Sequence, residues 1–340
     1  MGLFSFLTKE IAIDLGTANT VIIHNDKVVV DEPSIVAIDR QSNKVIAVGK
    51  KAMMMHGKTH EKVKTLRPLR DGVIADFHAA EAMIREMIKM TEVKKSFFSP
   101  SLKMVVCIPS GITEVEERAV RDSCEQAGAK EVRLIHEPMA AAIGIGLDVL
   151  EPSGNIVIDI GGGTTEIAVI AMGGIVCKVS IRIAGDDLNT DIMEYLRKEY
   201  NLLVGERTAE RIKIEVGAAI NDLDNPPQEF AVHGRDLMTG IPKEIHISHI
   251  DVVNALDKSI SKIETAVLNT LEITPPELAA DIYRTGIYLA GGGALLRGLD
   301  KRISLKTKLP VHVAEDPLRA VARGTGIALK NFYRFPFLIK

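Results

Sequence analysis

Nothing in the sequence supplies a disulfide frame. Its three cysteines, Cys107, Cys124 and Cys177, are odd in number, scattered and set in apolar or helical contexts, which predicts reduced thiols and a cytosolic chain. A net charge of −3 gives no cause to expect general nucleic-acid binding. No apolar stretch is long enough to span a bilayer, and no signal peptide with a cleavage site is evident. Aromatics make up only 4% of the residues, so two local clusters stand out. One is Leu3-Phe4-Ser5-Phe6-Leu7. The other is Phe97-Phe98, between Lys94-Lys95-Ser96 and Ser99-Pro100-Ser101. Apolar tips beside lysines suit an anionic membrane surface. An edge strand accounts for the first equally well, and the second can tuck under its own loop. The myristoylation pattern fails, because Phe6 occupies its Ser/Thr position.

The usual nucleotide motifs are also missing. Gly57-Lys58-Thr59 resembles the end of a P-loop, but the required first glycine falls on Ala52. Gly144-Ile145-Gly146 would need its third glycine at Val149, and Gly324-Thr325-Gly326 breaks in the same way at Leu329. No zinc-protease helix or nucleophile elbow is present. Met53-Met54-Met55 is an isolated apolar run that predicts packing. What remains is a chain of 340 residues, 46% hydrophobic and 26% charged, enough for a substantial core in one large domain or two.

The informative feature is a repetition. Asp14 to Thr20 (DLGTANT) returns in altered form at Asp159 to Thr165 (DIGGGTT), and each copy lies between two short apolar runs. Both read as β-hairpins whose turn carries an Asp, glycines and hydroxyls. Such turns expose backbone N–H groups that cradle phosphate, with Thr17, Thr164 and Thr165 as further donors. Asp14 and Asp159 are poorly placed against bare phosphate but well placed beside a phosphate-bound Mg2+ that keeps its waters. Two facing hairpins would clamp a nucleotide triphosphate; either one alone reads as an ordinary glycine turn. A third cluster, Gly291-Gly292-Gly293, follows the strand-like run 286–290 and precedes a helix predicted from Ala294. It suits the nucleoside and α-phosphate end of the same ligand, or a tight turn needed for packing.

Strands and helices alternate along the rest of the chain, which predicts an α/β fold. Strands are expected over 28–38 with an interruption at Pro33, and at 45–48, 104–108, 132–135, 176–183, 230–232 and 244–247. Helices are expected over 79–90, 113–127, 188–200, 208–216 and 259–271, with another opening at Glu137-Pro138, where proline suits a first turn. The region 49–65 reads as polar. The stripe Ala79, Met83, Met87 and Met90 predicts core. The simplest architecture is two related α/β domains, each opening with a phosphate hairpin, facing one another across a cleft.

Taken together, these motifs resemble the actin-like ATPase superfamily, and more closely the MreB family of bacterial actin homologues. The runs that carry the resemblance are Asp14 to Thr20, Arg67 to Asp76, Glu137 to Ile143, Asp159 to Glu166, Gly205 to Lys213, Pro275 to Ala279 and Gly291 to Arg297. They cover almost the whole chain in family order. The resemblance implies two related RNase H-like domains around a nucleotide cleft, each with a smaller inserted subdomain. Domain I would be 1–145 plus 320–340 with an insert near 30–70, and domain II 146–319 with an insert near 187–250. It implies ATP and Mg2+ as ligands. Thr17, Ala18 and Asn19 would lie on the first phosphate loop and Gly161, Gly162 and Gly163 on the second. Glu210, Arg211, Ile212 and Lys213 would run at the adenosine end, and Gly291, Gly292, Gly293 and Ala294 by the α-phosphate. Asp14 and Asp159 would hold Mg2+ through its waters, Glu137 would orient the attacking water, and Thr164 would stand beside it. His136 departs from the acidic residue more usual in the family. The tail Arg334-Phe335-Pro336-Phe337 has no assignment.

The function so implied is a cytoskeletal ATPase. It would polymerise with itself on the inner face of the cell membrane and set rod shape by organising peptidoglycan synthesis with elongation proteins of the MreC, MreD and RodZ type. Nucleic acid is not an expected partner. A small-molecule kinase of the same superfamily is the alternative, but the sequence offers no separate base aimed at an acceptor hydroxyl.

Overall fold

The computed structural model describes residues 8–91 and 101–340. The apolar tips at 3–7 and 97–98 lie outside these. The chain opens as an antiparallel meander, β1 (Thr8–Leu15), β2 (Asn19–His24) and β3 (Lys27–Pro33). A small lobe follows: β4 (Val36–Asp39), β5 (Val45–Val48), α1 (Lys50–Met55) and β6 (Val63–Leu66). The hairpin β7 (Leu69–Arg70) and β8 (Val73–Ile74) leads to α2 (Phe77–Met90), whose first turn is capped by the Asp76 carboxylate accepting from the Ala79 N–H at 3.0 Å. Then come β9 (Ser101–Ile108), α3 (Glu114–Gln126) with a Thr113/Glu116 capping box, β10 (Glu131–His136) and α4 (Glu137–Ile145).

The second half repeats the plan. Its meander is β11 (Asn155–Ile160), β12 (Thr165–Ala171) and β13 (Gly174–Ile181), followed by α5 (Gly185–Tyr200). A second small lobe holds β14 (Leu202–Leu203), α6 (Glu206–Val216), β15 (Phe230–Asp236) and β16 (Pro242–Ile247). The chain returns through α7 (His249–Glu272), α8 (Pro276–Thr285), β17 (Ile287–Ala290), α9 (Leu299–Thr307), β18 (Val311–Val313) and α10 (Ala320–Lys330).

The two main sheets have one topology. The first runs β10-β9-β1-β2-β3 and the second β18-β17-β11-β12-β13. In each, the opening strand pairs antiparallel with its hairpin partner and parallel with the strand on its other side. The registers correspond as well: Leu15 faces Thr20 across the first hairpin, and Ile160 faces Thr165 across the second. Each sheet has its own aliphatic core. A third core is shared, because α4 packs on β11 and β12 of the second sheet, whereas α10 packs on β1, β2 and β9 of the first.

The two helices cross at backbone contact. A Cβ on Gly144 would stand 1.8 Å from the Ala320 carbonyl oxygen, and one on Gly324 would stand 1.8 Å from that of Ala140. Gly324 therefore lies inside α10 as a packing glycine, in a stretch that the sequence offers only as a failed dinucleotide motif.

Other departures have local causes. Region 49–65 is not simply polar: Gly49, at φ 66°, turns the chain into α1. Of Met53-Met54-Met55, Met53 packs beside Ile35, Ala37 and Ala52, but Met54 is 65% exposed, so the run is not core. Met83 and Met87 are buried as expected, whereas Met90 at the helix end is exposed. α7 begins ten positions before the expected start, at a Ser248/Asp251 capping box. No α-helix starts at Ala294. The glycine cluster forms a 3-10 turn, Gly292–Leu295, and Gly298 at φ 73° precedes α9. The tail gains a place: Ile339 and Leu134 exchange backbone hydrogen bonds at 2.9 and 3.0 Å, covering the β10 edge.

Candidate functional site

The two hairpin turns meet tip to tip. A Cβ on Gly162 would lie 2.7 Å from the Ala18 Cβ, and one on Gly163 would lie 2.8 Å from Thr17 Oγ1. Only glycine lets the second loop approach the first this closely. Gly161 has more room; its N–H bonds the Thr164 carbonyl at 2.9 Å and closes the loop. Asn19 is exposed at the base of the first loop, while Thr17 and Thr164 are buried.

Two segments that the sequence leaves without a role shape these loops. Ser34 donates its hydroxyl to the Gly16 carbonyl at 2.6 Å and its N–H to that of Ala18 at 2.9 Å, bracing the first loop from behind. Asp71 (φ 50°) and Gly72 (φ 75°) form the two-residue turn between β7 and β8. The Gly72 N–H donates to Thr17 Oγ1 at 2.9 Å, and a Cβ on Gly163 would stand 2.9 Å from the Asp71 nitrogen. The Asp-Gly pair is a recognisable hairpin signal. Its destination, more than fifty residues away in sequence, is not.

Three carboxylates converge beneath the loops. Burial pushes Asp14 up to about 7. Burial, then the charges of Asp14 and Glu166, push Asp159 up to about 8. Glu137, at the start of α4, is raised well above the ordinary range by burial, then by Asp159, Glu166 and Asp14. Neighbouring His136 is lowered by burial and then by Lys178, so it brings no positive charge to Glu137 at neutral pH.

Among the described residues, no three His, Cys, Asp or Glu side chains form a direct metal cage. The donor set instead fits an ion that takes phosphate oxygens and retains its waters: hard carboxylates, with Asp159 Oδ1 buried and without a hydrogen-bond partner.

The 210–213 run divides. Lys213 Nζ donates to Glu210 and to the Gly185 carbonyl, both at 2.9 Å, next to the second loop, and Glu210 accepts from Asn189 at 2.7 Å. Arg211 and Ile212 do not join them. Successive helix positions point in different directions, so the Arg211 guanidinium lies 5.3 Å from the Phe230 ring centre and Ile212 is fully buried in the second core. At the third cluster, Gly291 and Gly293 are demanded by packing: added Cβ atoms would lie 2.3 Å from the Ile160 carbonyl oxygen and 2.2 Å from its side chain. The Ala294 methyl belongs to the core, and Gly292 is exposed. This turn is pressed against the end of β11, beside Asp159.

A profile of the MreB/Mbl protein family matches residues 8–336. The chain belongs to that family. It is 47% identical to the cell shape-determining protein Mbl of Bacillus subtilis over 329 residues, covering 96% of this chain and 98% of the relative. With the cell shape-determining protein MreB of Escherichia coli it shares 48% identity, covering 97% and 94% of the two chains. The crystal structure of Spiroplasma citri MreB5 bound to ADP superposes with a TM-score of 0.90 at 40% identity, covering 96% of this chain and 97% of that one. MreB5 bound to AMPPNP gives 0.89 with the same coverage. A MamK double helical filament subunit, at 20% identity and a TM-score of 0.80, shares the fold. The actin-like architecture of this family is therefore the fold of the chain.

Proposed function

We propose that this MreB/Mbl family chain binds Mg-ATP between its two hairpin loops, hydrolyses it, and assembles head to tail into filaments. The observation that carries the reading is the tip-to-tip meeting of the two loops over the buried carboxylates of Asp159 and Glu137 and the half-buried one of Asp14. Domain I comprises 1–145 and 320–340, domain II comprises 146–319, and the loops are the facing edges of the two. Loop N–H groups and Thr17 hold the terminal phosphates, Glu210 and Lys213 approach the adenosine end, and the exposed Gly292 backbone lies by the α-phosphate. Asp14 and Asp159 would hold Mg2+, which would supply positive charge to the phosphates when bound. Glu137, helped by Thr164, orients a water in line with the γ-phosphate.

The MreB5 relatives carry ADP or AMPPNP in their structures, which supports the nucleotide site. The names of the Mbl and MreB relatives support a role in cell shape. Filaments on the inner membrane face, working with the wall-elongation machinery, complete the reading.

Sedimentation with ATP, with and without anionic liposomes and with phosphate release followed in parallel, tests it. The wild-type chain is expected to pellet and to release phosphate. Glu137→Ala is expected to bind ATP normally but release phosphate about 10²-fold more slowly, the scale of a lost general base. A monomer that phosphorylates a sugar instead would overturn the filament reading.

A further inference from the structure

Glu166 is a charged residue with no part in the reaction just described, yet it is 0% exposed. It lies on β12 opposite Asp159, two positions beyond Thr164. Burying a carboxylate is costly unless hydrogen bonds satisfy it, and those of Glu166 have a distinctive distribution. Oε2 accepts from the N–H of Ser110, at 3.1 Å, and from its hydroxyl. Oε1 accepts from the Ser180 hydroxyl at 2.6 Å. Ser110 follows β9 in the first half of the chain, whereas Glu166 and Ser180 belong to the second.

The Ser110 carbonyl is taken too, by the ammonium of Lys178 on β13. All three polar groups of Ser110 are therefore held by the other half of the molecule. The contact is also tight, since a Cβ on Gly111 would stand 2.8 Å from the Ser180 side chain. It continues to the phosphate loops. Pro109 lies 2.6 Å from where a Cβ on Gly72 would stand, the Thr164 methyl lies 3.0 Å from the same point, and the Gly72 N–H is bonded to Thr17.

We propose that Glu166 is a positioning residue for ATP hydrolysis, clasping Ser110 of one half to Ser180 of the other and so fixing the separation of the two phosphate loops. Glutamate has the reach and the two acceptor oxygens that this bridge requires. Aspartate is a methylene shorter, and glutamine replaces one acceptor by a donor facing hydroxyl groups. Misplacing reacting groups by about 1 Å costs on the order of 10²-fold in rate. A loosened clasp should therefore slow bond cleavage more than it weakens binding, because the loops that grip the nucleotide remain intact.

The inference rests on the ATPase reading, and its test separates the two. Full-length wild type, Ser110→Ala, Ser180→Ala, the double variant and Glu166→Gln are compared for Mg-ATP affinity and for single-turnover hydrolysis. Each single variant is expected to cleave ATP about 5- to 10-fold more slowly with a Kd within about threefold of wild type. The double variant should be no slower than the slower single one, because both serines act through one carboxylate. Unchanged rates, losses that multiply in the double variant, or affinity falling in step with rate would each overturn the clasp while wild-type turnover stands. A wild-type chain that binds ATP but never cleaves it would overturn the ATPase reading and the clasp together. If Glu166→Gln does not fold, the serine variants decide the question.

Discussion

Asp14 and Asp159 titrate near neutrality in the folded chain, with values of about 7 and 8 against 3.8 for an ordinary aspartate. Between those limits the folded chain keeps protons that the unfolded chain has already released. Stability from this source is therefore fully present below the unfolded value and is lost as pH rises through the folded ones. The nucleotide-free protein is expected to melt at a lower temperature at pH 8.5 than at pH 6, and Asp159→Asn should flatten that slope. Melting curves of the two proteins that shift in parallel would count against the assignment. At this scale the repeated motif draws attention to Asp14, Thr17, Asp159 and Thr164, and the structure brings the two copies tip to tip. It conceals Glu166, a lone acid in an otherwise apolar strand whose serine partners lie 56 and 14 residues away. It overstates Arg211 and Ile212, since a contiguous motif on a helix cannot turn every side chain to one ligand.

Among the elements, those with a strong period and a capping signal are legible: α2, α3, and the strands of both meanders. Those decided by contact with another element are not. α10 carries two interior glycines that lower its helix propensity, and nothing local shows that α4 compensates by packing against Gly324. Replacing Gly324 or Gly144 by alanine should be costly, because the added methyl meets backbone carbonyl oxygen in both cases. A loss of about 3 kcal/mol is expected, read as a lower denaturant midpoint. Gly174→Ala, whose new methyl would have its nearest neighbour 3.7 Å away, should leave that midpoint almost unchanged. Equal behaviour of the two classes would mean that α4 and α10 do not pack as closely as described. The glycine cluster at 291–293 teaches the same lesson in reverse. It reads as a helix entrance, but Gly291 and Gly293 are needed against Ile160 and the α-helix waits until Leu299.

For the whole molecule, a further link ties the halves besides the phosphate loops and the Glu166 contacts. Arg67, just after β6 in the first small lobe, donates to Glu206 at the start of α6 at 2.5 Å and lies 3.6 Å from Asp186 on α5. His56 reaches the same Glu206 at 3.5 Å. Arg67→Ala should release bound nucleotide about fivefold faster, corresponding to about 1 kcal/mol for a partly solvated pair. Stopped-flow displacement of a fluorescent ATP analogue measures this, and an unchanged release rate would show that the link does not restrain the cleft. The duplicated sheet topology is half visible in the sequence, through the repeated hairpins, while the two passages of chain between the halves, near 145 and 320, come from the family resemblance alone. Those passages adjoin α4 and α10, which cross at Gly144 and Gly324. A body joined to another by two neighbouring passages of chain turns most readily about the place where they meet. A change in loop spacing is expected to emerge as rotation about the region where α4 and α10 meet, with a displacement that grows with distance from it. On that expectation the glycines at the crossing would serve as an axle, with the outlying lobes as its pointers.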